Sequence, residues 1–184
     1  MQIAVRPIQV PHPPIYTAVY DKQAARDAGR AGFRIFLSPL AALRSMDQIA
    51  EIIKAYRLAQ GKAKRVQHDD DIIAFCLAYA DTDNSRAVDR AHIAFNRHAL
   101  VRPNWICRAF DEAMDLSYFL VGGPAALSLR LQRLSEIGLK HIALMPTFGG
   151  LGIDQVLETM RIANDASVER RENSAVRRVA NLAD

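Results

Sequence analysis

The stretch that most constrains the fold is Ile72-Ile73-Ala74-Phe75-Cys76-Leu77-Ala78-Tyr79-Ala80, nine residues without a charge. A strand with one wet face alternates apolar and polar residues. This one does not, so it reads as a strand buried on both faces, as a parallel strand between helical layers is. The chain around it keeps one rhythm. Ile15 to Val19, Gly32 to Ser38 and His141 to Met145 also read as strands, and Pro39 is placed to end the second. Helical patterns stand between them. Residues 22–31 form one, with Gly32 positioned to stop it. Ser45-Met46-Asp47-Gln48 has the Ser-x-x-Gln form of a capping box, followed by Ile49, Ile52, Ile53 and Tyr56 on one stripe and a stop near Gly61. A third helix is expected over about residues 84–99. Pro124 opens a fourth, with Leu127, Leu131, Leu134 and Ile137 inward and Gly138 at its end. Ile153, Val156, Leu157 and Met160 mark the last. The order β-α-β-α-β-α-(α)-β-α predicts an α/β fold of four βα units, half of a (β/α)8 TIM-type barrel with parallel strands.

The 184 residues suffice for a single domain over 1–184. Residues 1–14 read as an extended lead-in with Pro7, Pro11, Pro13 and Pro14, residues 15–168 as the half-barrel, and residues 169–184 as a helix end and tail, loose from about Asn173. Residues 100–118, with Pro103, Trp105 and Asp111-Glu112, are the least regular and hold at most a short helix, and Phe119 to Gly123 is an extended run into the next one. A net charge of +4 does not call for nucleic acid, and the basic run from Arg170-Arg171 to Arg177-Arg178 is interrupted by Glu172 and preceded by Glu169. Cys76 lies in the apolar run as a core filler, and with Cys107 it makes neither a disulfide framework nor a metal motif. The start lacks the basic and apolar parts of a signal peptide, and no apolar run reaches about 18 residues, so a reduced, cytoplasmic protein away from membranes is expected.

Three blocks carry a resemblance to a known family. Arg6-Pro7-Ile8-Gln9-Val10-Pro11-His12-Pro13-Pro14-Ile15-Tyr16 is similar to its proline-rich approach to a mid-barrel strand. Ala25-Arg26-Asp27-Ala28-Gly29-Arg30-Ala31-Gly32 matches its Ala-Gly-Arg-x-Gly helix end. Leu120-Val121-Gly122-Gly123-Pro124, then Gly138-Leu139-Lys140-His141-Ile142 and Phe148-Gly149-Gly150-Leu151, look like its closing segment. Together they resemble the carboxyl-terminal half of the luciferase-like, flavin-dependent monooxygenases. The resemblance covers about residues 5–168 and implies a flavin mononucleotide (FMN) cofactor. It also implies that the absent amino-terminal half supplies four strands, much of the substrate and isoalloxazine pocket and any catalytic histidine. Members that bind FMN place a serine directly after this strand and a second hydroxyl three residues on. Here those positions are Asp21 and Ala24.

The strand-to-helix junction at Tyr20-Asp21 is therefore where the chemistry turns. A helix N-terminus offers free N–H groups and a dipole to a phosphate. Asp21 competes for both as a strong N-cap, worth about 1 kcal/mol, and its charge repels a dianion. Ala24 brings no hydroxyl, while Lys22 and Arg26 still attract an anion. Tyr20, Asp21, Lys22, Ala24 and Ser38 are the positional candidates for cofactor binding. Thr147, Asp81 and Asp83 also fall at strand ends, the two aspartates with helix capping as their ordinary role. No catalytic residue is named and no metal is expected. His12 sits in a loop, and His68 adjoins Asp69-Asp70-Asp71, a solvated turn. His92 and His98 are six apart, the wrong spacing for a helical metal pair. His141 opens a strand at the stability end of a barrel. Gly149-Gly150-Leu151-Gly152 lacks the Lys-Ser/Thr of a phosphate loop.

Four strands leave two open edges and no opposite wall, so the runs at 72–80 and 141–145 are expected to expose more apolar surface than a monomer tolerates. A homodimer is the favoured remedy, beside a partner chain or helices folded across the gap. Three functions follow. The chain is expected to be a truncated luciferase-like oxidoreductase, a flavin-dependent monooxygenase acting on a small organic substrate, or else a flavin-free binding or partner subunit, or a barrel turned to flavin-independent chemistry.

Overall fold

Ile72–Ala80 forms β3, the strand on which the others register. The computed structural model describes residues 13–42, 45–101 and 109–180. The lead-in with His12, the Trp105–Cys107 segment, and the side chains of the basic run at 170–178 lie outside the described residues. Before β3 come β1 (Tyr16–Ala18), α1 (Lys22–Ala31), β2 (Arg34–Leu37), the short α2 (Pro39–Ala42) and α3 (Met46–Lys62). After it come α4 (Asn84–Val101), α5 (Phe110–Met114), β4 (Leu120–Gly122), α6 (Pro124–Glu136), β5 (His141–Met145) and α7 (Ile153–Ala180). All strand pairs are parallel: β1 with β2, β2 with β3, and β3 with both β4 and β5. Ile73 faces Phe36 on one side and His141 on the other, so β2 and β5 occupy opposite edges of β3. The arc β1-β2-β3-β5 is the expected half-barrel. β4 is an addition to it, since what reads as an extended run into α6 is a strand paired with Ala78–Ala80.

The local reasons are legible. Gly32 ends α1 in the left-handed region (φ 82°), and its amide donates to the Ala28 carbonyl. The Ser45 hydroxyl accepts the Gln48 amide and starts α3. Gly29 lets α1 lie against α3, for a Cβ there would stand 2.7 Å from the Tyr56 carbonyl oxygen. Ile35, Leu37, Ile72, Ala74 and Cys76 form the buried face of the sheet under the helices. Phe95, Phe110, Phe119 and Phe148 join α4, α5, β4 and the loop after β5, with Phe95 and Phe119 5.4 Å apart between ring centroids.

Several expectations change. β3 is mostly buried within one chain, and only Ile73 and Phe75 are half-exposed. The α7 Thr159 side chain and the short β4 account for this, covering its C-terminal third. β5 stays half-buried along its length, with His141 exposed. Pro39 begins α2 rather than merely ending a strand. α4 runs to Val101 and α7 to Ala180. The aspartate turn is not simply solvated. Asp71 is buried and accepts from Arg57 (2.9 Å), Gln60 (3.0 Å) and the His68 amide (2.8 Å). Burial pushes its carboxyl up, but these donors outweigh that and hold it below the usual range. Arg34 bonds the Tyr16 hydroxyl and pairs with Asp70 at 2.8 Å, so this network ties together the N-terminal ends of β1, β2 and β3. No helix among the described residues is long and apolar enough to cross a membrane.

Candidate functional site

The first junction is built as the sequence predicts. β1 delivers the chain through buried Val19 to Tyr20, which stands exposed. Asp21 follows in extended geometry (φ −148°, ψ 171°), and one carboxylate oxygen accepts the Gln23 amide at 2.7 Å and the Ala24 amide at 2.8 Å. These are the donors a phosphate would use at this helix end. Lys22 turns aside to Glu51 on α3 at 2.8 Å. It lines a cleft of about 390 Å³ between α1 and α3 with Arg26, Arg30, Lys54 and Lys62, on the outer flank of the sheet. Asp21 thus fills this helix end from within the chain. The donors are taken, the nearest charge is negative, and the adjacent lysine is engaged elsewhere.

Ser38 is half-buried one residue past β2, and its carbonyl accepts the Ala41 amide as α2 turns away. The register sets it level with Phe75, because Leu37 faces Ala74. Asp81 lies six residues further along β3, about 20 Å at a strand's rise. The strand ends are thus staggered. Tyr20, Asp21 and Ser38 belong to one level, and Asp81 and Asp83 to another.

At that upper level sits a cluster that sequence reasoning missed. Asp81 is buried and gripped by Arg86 from two guanidinium nitrogens, with Arg90 at 3.3 Å. It also accepts the Asp83 amide, while Asp83 accepts the Arg86 amide and caps α4. The Arg86 guanidinium, with the amide and hydroxyl donors beside it, holds the Asp81 carboxyl well below the usual carboxylate range against the opposing effect of burial. Asp83 keeps the capping role read from sequence, and Asp81 is an ion-pair centre instead. The available signal was Arg86 and Arg90 four apart, on one face of the helix that follows two acids. The Asn84 side-chain oxygen accepts the Gly123 amide and fastens α4 to the start of α6. The remaining candidates are scattered. His92 stacks on Phe110 and His98 meets Phe148 edge-on. His68 precedes the aspartate turn and His141 is exposed at the opposite end of the sheet. Among the described residues no group of three metal-ligating side chains assembles.

Parallel strands ending beside helix N-termini, four to an arc, define the architecture, and solved structures share it. Monooxygenase RslO1 from Streptomyces bottropensis superposes with a TM-score of 0.79 at 22% identity, over 91% of this chain and 51% of that one. The chain shares with it the fold of half a parallel-stranded α/β barrel. The oxygenating constituent of 3,6-diketocamphane monooxygenase from Pseudomonas putida, in complex with FMN, superposes at 0.57 and 13% identity over 73% of this chain and 42% of that one. An F420-dependent secondary alcohol dehydrogenase in complex with an F420-acetone adduct does so at 0.59 and 13% identity, over 86% and 50%. The chain spans about half the length of these proteins. No family model matches the sequence, and no curated protein does.

Proposed function

We propose that this chain forms one half of a luciferase-like oxidoreductase barrel that acts on a small organic substrate at the C-terminal ends of its strands. The observation that carries the reading is the four-strand parallel arc, which matches half of a monooxygenase over 91% of the chain. Structural neighbours at lower identity are described in complex with FMN or an F420 adduct, which supports a flavin-type cofactor. In this reading the phosphate end of such a cofactor is not held at α1, where Asp21 takes the amides. The test is the visible spectrum of the purified protein, followed by titration with FMN and with F420. Flavin-type absorbance or saturable binding supports the reading. Loss of both, with no flavin absorbance and no saturable binding, overturns it.

The Asp21 cap favours a second reading, a flavin-free half-barrel that serves as a binding or partner subunit. The same titration separates the two.

A further inference from the structure

We propose that a second copy of this chain closes the barrel, related by a two-fold axis that runs along the barrel axis. The inference rests on the half-barrel reading above and adds the partner. Three observations lead to it.

The first is the pair of free edges. Among the described residues β1 pairs only with β2, and β5 only with β3. Both end strands run parallel to the rest, so a two-fold copy sets β5 of each chain beside β1 of the other in parallel, at both junctions at once. Residues Ile15 and Val19 direct their backbone bonds to β2. By alternation, the amides of Tyr16 and Ala18 point to the free edge. Ala18 is exposed, as an edge awaiting a neighbour would be.

The second is the open inner wall. Phe36, Ile73 and Phe75 share one face of the sheet and are only half-buried, although Phe36 and Phe75 pack on each other at 6.0 Å. The missing wall is a unit of this chain's own size, since the superposed enzymes are about twice as long.

The third lies in the helical layer. Val156, Thr159, Ile162, Ala163 and Ala166 bury one side of α7. Its neighbouring flank carries Ile153, Leu157 and Met160, exposed by 68%, 56% and 53% and spaced as one helical stripe. In a closed barrel the helix after the last strand lies beside the helix after the first. The flank of α1 opposite Gly29 carries exposed Ala31 and Asp27, with half-buried Ala24 at its side. A second copy therefore covers both strand edges, the inner aromatic face and the α7 stripe with one kind of contact. Closure also completes the ring of strand ends, so each site takes residues from both copies.

The test is the mass in solution of the full chain, by light scattering at micromolar concentration. Twice 20.5 kDa is expected, and a monomer overturns closure. Two surface variants secure the geometry. Leu157→Glu with Met160→Glu weakens the dimer at least about tenfold. Ala18→Pro does the same by removing a free-edge donor while sparing the β1–β2 ladder. Both keep the helical circular dichroism of the parent. A dimer that neither variant weakens overturns this mode of closure. Flavin titration is read on the same samples. A monomer that binds flavin sinks closure alone, whereas a dimer that binds none sinks the oxidoreductase reading and leaves closure standing.

Discussion

Thr159 stands in for a strand beside Ala80. The threonine hydroxyl accepts the Ala80 amide at 3.1 Å and donates to the Ala80 carbonyl at 3.3 Å, and both groups are buried. β5 stops at the level of Leu77, so this helix side chain serves backbone groups that the next strand does not reach. Thr159→Val keeps the shape and removes both bonds. It is expected to destabilise the fold by about 1–3 kcal/mol. Urea denaturation checks this, with a lowered midpoint and an unchanged slope.

Gly149 is not replaceable. Its φ is +60°, and a Cβ there would lie 1.8 Å from the backbone oxygen of Ala94 on α4. Gly149→Ala must push the loop off α4 and unseat Phe148, so a loss above about 3 kcal/mol or insoluble expression is expected. A thermal midpoint equal to the parent's would contradict the close approach.

The Asp81 clamp predicts an acid-sensitive fold. Its carboxyl is held below the ordinary value, so the stabilisation is complete above about pH 4 and is lost as pH falls through the lowered folded value. Denaturation midpoints measured from pH 6 to pH 2 are expected to fall for the parent. Asp81→Asn starts from a lower midpoint at neutral pH and shows a shallower decline. Equal slopes would remove Asp81 from the account.

The self-capped junction makes a prediction by reversal. Asp21→Ser with Ala24→Ser keeps a capping hydroxyl, removes the negative charge and adds a second hydroxyl. The variant is expected to bind FMN at least about tenfold more tightly than the parent, since relieving repulsion and adding a charge-assisted bond is worth about 1.5–3 kcal/mol. Fluorescence titration measures it. Unchanged affinity would mean that phosphate is not contested at Asp21.

What the sequence revealed depended on how local the cause was. The bounds of α1, β3 and β5 follow from residues inside them: Asp21 and Gly32 cap α1, and nine apolar residues define β3. β4 escaped because three residues ending in Gly122 carry no pattern of their own, and their partners Ala78–Ala80 are some 40 residues away. Asp71 reads as solvent-facing in a row of three acids, and only the return of α3 brings Arg57 and Gln60 over it. At the candidate site, the cap on α1 was legible residue by residue. The stagger that separates Ser38 from Asp81 was not, because register belongs to pairs of strands rather than to any one of them.

The skip in strand order also bears on how the chain assembles. β1 to β3 join in sequence through crossovers of ordinary length, but β5 reaches β3 across 68 residues, as Ile73 and His141 show. Closing a loop of that length costs entropy before it is rewarded, so β5 is expected to dock after the first three strands. In pulsed amide exchange during refolding, β5 should gain protection later than β2. The arc would then form outward from β1, with its last strand the slowest to settle and the first to leave.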